Sequence, residues 1–130
     1  MKRTLWTILL AALLLFAACA PKAGPLILPN ADEITEVRLE YGDESVVRTG
    51  PGWIELLLEK MAAAAPTRKA SVQDIPDQEE MAAVHFVMEG GGENTLFVYP
   101  EGGEWYIERP YEGVYETDQL LWGMVTDLSE

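Results

Sequence analysis

The 130-residue sequence has one cysteine, one histidine and nine basic residues set against 22 acidic ones. A single cysteine excludes an internal disulfide framework. With only one histidine beside it, no standard structural zinc site of four Cys and His ligands can be assembled. The formal charge of −13 removes nucleic acid as a partner, because that binding rests on neutralising phosphates with Lys and Arg. The charge reads as solubility first. Long apolar runs are scarce as well. The main one, Leu5 to Phe16, falls short of the roughly 20 residues that cross a bilayer as a helix.

What is present begins with that run. Lys2 and Arg3 precede it as a short positive region, and the small residues Ala17 and Ala18 follow it before Cys19. This order is that of a secretory signal. A lone thiol in an exported protein has no disulfide partner, which directs attention to Cys19 itself. Phe16-Ala17-Ala18-Cys19 resembles the lipobox of bacterial lipoproteins, with Phe16 where Leu is usual. The resemblance implies cleavage before Cys19 and diacylation (palmitate-type chains) through its sulfur. Two acyl chains suffice for stable anchoring. Residues 1–18 are thus read as signal peptide, 19–32 as lipidated Cys19 with a Pro-rich tether, and 33–130 as one globular domain. Loss of Lys2 and Arg3 would leave seven basic residues against 22 acidic ones. The expected location is the extracytoplasmic face of the bacterial cell membrane.

In the tether, Pro21, Pro25 and Pro29 favour an extended chain of limited reach, about 40 Å. Leu26-Ile27-Leu28 is unusually apolar for a linker, and the sequence leaves open whether it meets the domain or the membrane. Beyond it, Thr35, Val37, Leu39 and Tyr41 alternate with Glu36, Arg38 and Glu40 as a half-buried strand. Gly42-Asp43 turns it into a partner over Ser45 to Thr49. A helix is expected from Pro51, after Thr49-Gly50 as cap, with Ile54, Leu57, Leu58 and Met61 on one face and Pro66 as its stop. Residues 67–80 read as a polar loop. Met81–Met88, Thr95–Tyr99 and Trp105–Arg109 follow as strands joined by Gly-rich turns. Thr117 is the expected cap of a last helix carrying Leu120, Leu121, Met124, Val125 and Leu128 on one stripe. The fold class is α+β: an antiparallel sheet of about five strands in the order ββα-βββα, with two helices on one face.

Two segments carry a resemblance over roughly residues 33–128. Ser71-Val72-Gln73-Asp74-Ile75-Pro76 and the stretch from Tyr106 to Asp118, YIERPYEGVYETD, resemble two boxes of a family of small Gram-positive cell-envelope lipoproteins. That family's shared domain has no assigned function. Gln73, Ile75 and Arg109 depart from its commoner residues. The resemblance implies a fold and a location and transfers no activity.

The second box supplies the candidate site. Trp105, Tyr106, Tyr111 and Tyr115 form a ligand platform for sugar or peptide if exposed, with Arg109 and Glu112 as polar contacts. The competing reading makes the same stretch a junction. In it Pro110 ends a strand, Gly113 supplies a positive φ, and the tyrosines pack at the rim of the core. Ser71, Asp74 and His85 are the one catalytic arrangement to name, and no nucleophile-elbow context surrounds the serine. Asp74, Asp77, Glu79 and Glu80 lack the spacing of a calcium loop. No metal and no cofactor is expected. The expected function is a non-catalytic, membrane-anchored module that binds an envelope protein or cell-wall component. A cell-wall-directed hydrolase and a structural surface protein without specific ligand are the alternatives.

Overall fold

The computed structural model describes residues 22–129; the signal-like segment and Cys19 lie outside the described residues. After a single 3-10 turn at Ala31–Glu33, β1 (Ile34–Tyr41) and β2 (Glu44–Arg48) form a hairpin, followed by helix α1 (Pro51–Ala62). A two-residue strand β3 (Ala65–Pro66) comes next. Beyond the 67–81 loop run β4 (Ala82–Met88), β5 (Glu93–Glu101), β6 (Glu104–Arg109), β7 (Gly113–Thr117) and helix α2 (Gln119–Thr126). All strand pairs are antiparallel, in the order β2-β1-β4-β5-β6-β7-β3.

The α+β class and the two helices match the sequence expectation, but the sheet has seven strands rather than about five. Pro110 and Gly113 read as the end of the sheet because each breaks a ladder. In fact only residues 110–112 turn. The chain then pairs back from Arg109↔Gly113 to Trp105↔Thr117. Strand β3 escapes notice because it is two residues long and contains Pro66. Proline is tolerated there because β3 is an edge strand.

One face of the sheet holds the main core. Ile54, Leu57 and Met61 from α1 and Leu121 and Val125 from α2 meet Val37, Leu39, Val84, Phe86, Val98 and Ile107. Three local corrections follow from geometry. A bulge between Ile34 and Glu36 shifts the alternation. Ile34 therefore turns inward, while Thr35 faces out and donates to the Val87 carbonyl at 3.1 Å. The cap of α2 is Asp118 rather than Thr117: its Oδ1 accepts the Leu121 N–H at 3.0 Å. Leu120, expected on the buried stripe, is 65 % exposed; Trp122 packs instead, edge-on to Tyr41 at 5.5 Å between centroids. Gly50 caps α1 without a side-chain bond, and the helix stops at Ala62, short of Pro66.

The outer face is divided. Towards β1 it is polar, with Arg38 bonded to Glu93 at 2.6 Å and His85 bonded to Thr95 at 2.8 Å. Towards β7 it is apolar, with Tyr99, Tyr106 and Val114 in a second small core against Met81. The 67–81 loop covers that apolar end. Its buried Pro76 and its bonds from Ser71 to Glu108 and from Gln78 to Glu101 hold it across β6 and β5.

The chain before β1 also lies on the domain. The Ala23 N–H donates to the Thr67 carbonyl at 3.0 Å, and the Tyr115 hydroxyl donates to the Gly24 carbonyl at 2.9 Å. The Arg109 guanidinium donates to the Ile27 carbonyl. Leu26 and Leu28 pack against the core while Ile27 points out. Residues 22–29 therefore form a strap along the helix-bearing side, which answers the question left open by Leu26-Ile27-Leu28. No helix among the described residues is long and apolar enough to cross a membrane.

Candidate functional site

The strap, the 67–81 loop and the 110–112 turn converge on one end of the sheet. At the turn, the Glu112 N–H donates to the Arg109 carbonyl at 3.0 Å. Pro110 supplies the fixed φ suited to the second turn position. Tyr111, in third place, adopts φ 64°, a conformation usually left to Gly or Asn there. The sequence assigned that role to Gly113. This is overturned: Gly113 is not among the positive-φ glycines. Glycine is needed at 113 for a different reason, since a Cβ there would collide with the Ala23 methyl of the strap.

Ser71 ties the loop to the turn. Its Oγ accepts the Tyr111 N–H at 3.0 Å and donates to Glu108 Oε2 at 3.0 Å. Glu108 is 5 % exposed, the only buried charged residue among those described. Its other oxygen accepts the Tyr99 hydroxyl at 2.8 Å. Two donors thus satisfy a carboxylate that would otherwise be costly to bury. Burial, then the bond to Glu108, pushes the Tyr99 hydroxyl far above the usual phenol range, so it remains a donor. A hydrogen bond to Asp74, ahead of burial, likewise raises the exposed Tyr111 hydroxyl. The two boxes singled out in the sequence, 71–76 and 106–118, are in direct contact.

The six platform candidates do not form one surface. Register places Trp105, Arg109 and Tyr115 towards the helix-bearing face and Tyr106 on the opposite one. Tyr115 is 2 % exposed, and burial, then the Glu112 charge, raises its hydroxyl, with Arg109 opposing. Tyr106 is also buried, Tyr111 is 62 % exposed and Trp105 is half-buried. Arg109 pairs with Glu112 and holds the strap. Of the junction reading's features, the packing of Tyr106 and Tyr115 is present, while Tyr111 is exposed and Gly113 lacks a positive φ.

The named triad is dispersed. Ser71 engages Glu108, Asp74 engages Tyr111, and His85 lies on the polar end of the outer face, with Glu40 at 3.3 Å and Glu93 at 3.1 Å. That histidine, ahead of Arg38, lowers the Glu40 carboxyl. No group of three or more His, Cys, Asp or Glu side chains among the described residues is arranged to hold a metal ion.

Sequence reading passed over the cationic side of the junction. Lys22 on the strap and Arg68 and Lys69 at the start of the loop line a depression of about 390 Å³ with Ser71, Glu112 and Gly113. Lys69 also sits 4.7 Å over the Tyr106 ring. The available signal was sparseness: in so acidic a chain, Arg68-Lys69 is the one adjacent basic pair after residue 3.

The fold is thus a single antiparallel α+β domain with a docked N-terminal strap. Residues 22–116 match a family model described as "Domain of unknown function (DUF5300)", and the chain belongs to this DUF5301 family. The chain is also similar to a protein from Ruminococcus gnavus whose NMR structure is known, at 30 % identity and TM-score 0.64, over 75 % of this chain and 99 % of that one. No curated protein matches the chain.

Tyr111 provides a direct check of the turn. Tyr111→Gly is expected to hold or raise the melting temperature, since glycine occupies φ 64° without strain, whereas Tyr111→Val lowers it. Equal melting of the two variants would refute the assigned conformation.

Proposed function

We propose that this chain is a lipid-anchored, extracytoplasmic interaction module without catalytic activity, acting on an envelope protein or cell-wall component in a Gram-positive-type envelope. The observation that carries the reading is the lone cysteine, Cys19, placed where a signal-like apolar segment ends. Support for a non-catalytic role comes from the engagement of Ser71 and His85 with separate partners on different parts of the sheet. The buried Glu108 is likewise satisfied within the fold.

The test is a Cys19→Ser variant expressed in a lipoprotein-processing host fed an alkyne-palmitate label. The parent is expected to take up label and fractionate with membranes. The variant is expected to lose the label and to be released or left unprocessed. A variant that is cleaved and membrane-bound like the parent overturns the reading.

A further inference from the structure

We infer that Lys22, Arg68 and Lys69 form a contact surface for anionic lipid headgroups, which seats the β3–β7 edge of the domain on the membrane that holds its anchor. The inference rests on the lipid-anchor reading of Cys19. Its own basis is the strap. Ala23 is bonded to Thr67 and Gly24 to Tyr115, so the chain is fixed to the domain from its first described residues. Only three peptide steps separate Cys19 from Lys22, at most about 11 Å of extended chain. That is close to the screening length at physiological salt, ~8–10 Å. An acylated Cys19 therefore brings this end of the domain within electrostatic reach of the bilayer surface.

The charges at that end suit such a surface. Lys22, Arg68 and Lys69 are all exposed and share one depression. The acidic groups beside them are largely engaged. Glu112, which lines the same depression, is paired with Arg109, and Glu108 is buried under Ser71 and Tyr99. Glu101 draws on Lys69 itself at 3.8 Å and Glu116 is exposed on β7, so Lys22 and Arg68, with no ion pair among the described residues, carry most of the attraction. Of the loop's own carboxylates, Asp74 lies at this end and is engaged by the Tyr111 hydroxyl; the others lie further along its path, where Gln78 meets Glu101 on β5 and Glu80 accepts the Tyr41 hydroxyl of β1 at 2.8 Å. Three of the seven basic residues after Cys19 thus lie together where the strap leaves the domain. A chain of this net charge is repelled by an anionic bilayer in most orientations, and this end is the exception.

The test uses the full lipidated chain in vesicles of phosphatidylcholine alone or with added phosphatidylglycerol. A donor dye is placed on Val72→Cys, which is exposed beside Ser71, or on Val47→Cys at the opposite sheet edge. Acceptor dyes sit on headgroups. Transfer from position 72 is expected to rise in anionic vesicles and to exceed transfer from position 47, and 0.5 M salt should abolish the rise. At about fivefold per basic residue, Lys22→Glu with Arg68→Glu should lower the seated-to-free ratio about 25-fold or more. Equal transfer from position 72 in both lipids, with the chain still partitioned into them, overturns the inference and leaves the anchor standing. A chain that fails to enter neutral vesicles overturns the anchor reading, and the inference with it. Capture of an anionic wall polymer by these residues, with transfer indifferent to lipid charge, also overturns it.

Discussion

Leu57→Ala and Leu121→Ala should each lower the unfolding free energy by ~2–5 kcal/mol, the range for truncating a buried leucine. Both side chains are fully buried in the layer between the helices and the sheet. In a small domain whose total stability is on the order of 5–15 kcal/mol, either loss is large. Leu120→Ala is the internal control. It sits one residue from Leu121 on the same helix but points to solvent, so its effect should stay within about 0.5 kcal/mol. Urea midpoints of the three variants decide the matter. Similar losses at 120 and 121 would mean that α2 is rotated from the packing described.

Gly113→Ala should be destabilising by ~1–3 kcal/mol, as overpacking of a closed contact usually is. The backbone at 113 tolerates a side chain; the obstacle is the Ala23 methyl on the strap. The second half of the prediction is therefore rescue. Ala23→Gly in the Gly113→Ala background should restore much of the lost stability, with a coupling in the double-mutant cycle of at least 0.5 kcal/mol. Hydrogen exchange should show the Ala23 amide losing protection in the single variant and regaining it in the double. Independent, additive effects would place the cost of residue 113 somewhere other than the strap.

These two predictions differ in how far the sequence anticipates them. The helix faces were legible because Ile54, Leu57 and Met61 recur at helical spacing, and the strands because Val37 and Leu39 alternate with charge. Those are local periodicities. The bulge at Ile34–Glu36 was not, since an extra residue in one strand shows only against its partner. Strand β7 was obscured by its own neighbours, Pro110 and Gly113, whose usual meaning is a turn. Gly113 shows the limit most clearly. The need for glycine was readable, but its reason was taken to be a positive φ. The actual reason is a residue 90 positions earlier in the chain. At the candidate site, the contact between the two boxes depends on Ser71 reaching Glu108 and Tyr111 across 37 and 40 residues. Nothing in either box announces the other.

The strap also orders events in time. Ala23 is held at Thr67, but two further holds come from the far end of the chain: Gly24 waits for Tyr115 across 91 residues, and Ile27 waits for Arg109 across 82. The β6–β7 hairpin that presents both groups is local and closes a three-residue loop. The strap contacts close the longest loops, which carry the largest closure entropy. Until that hairpin exists these two holds are missing. These residues, made early, are thus held in part only after the last hairpin has formed.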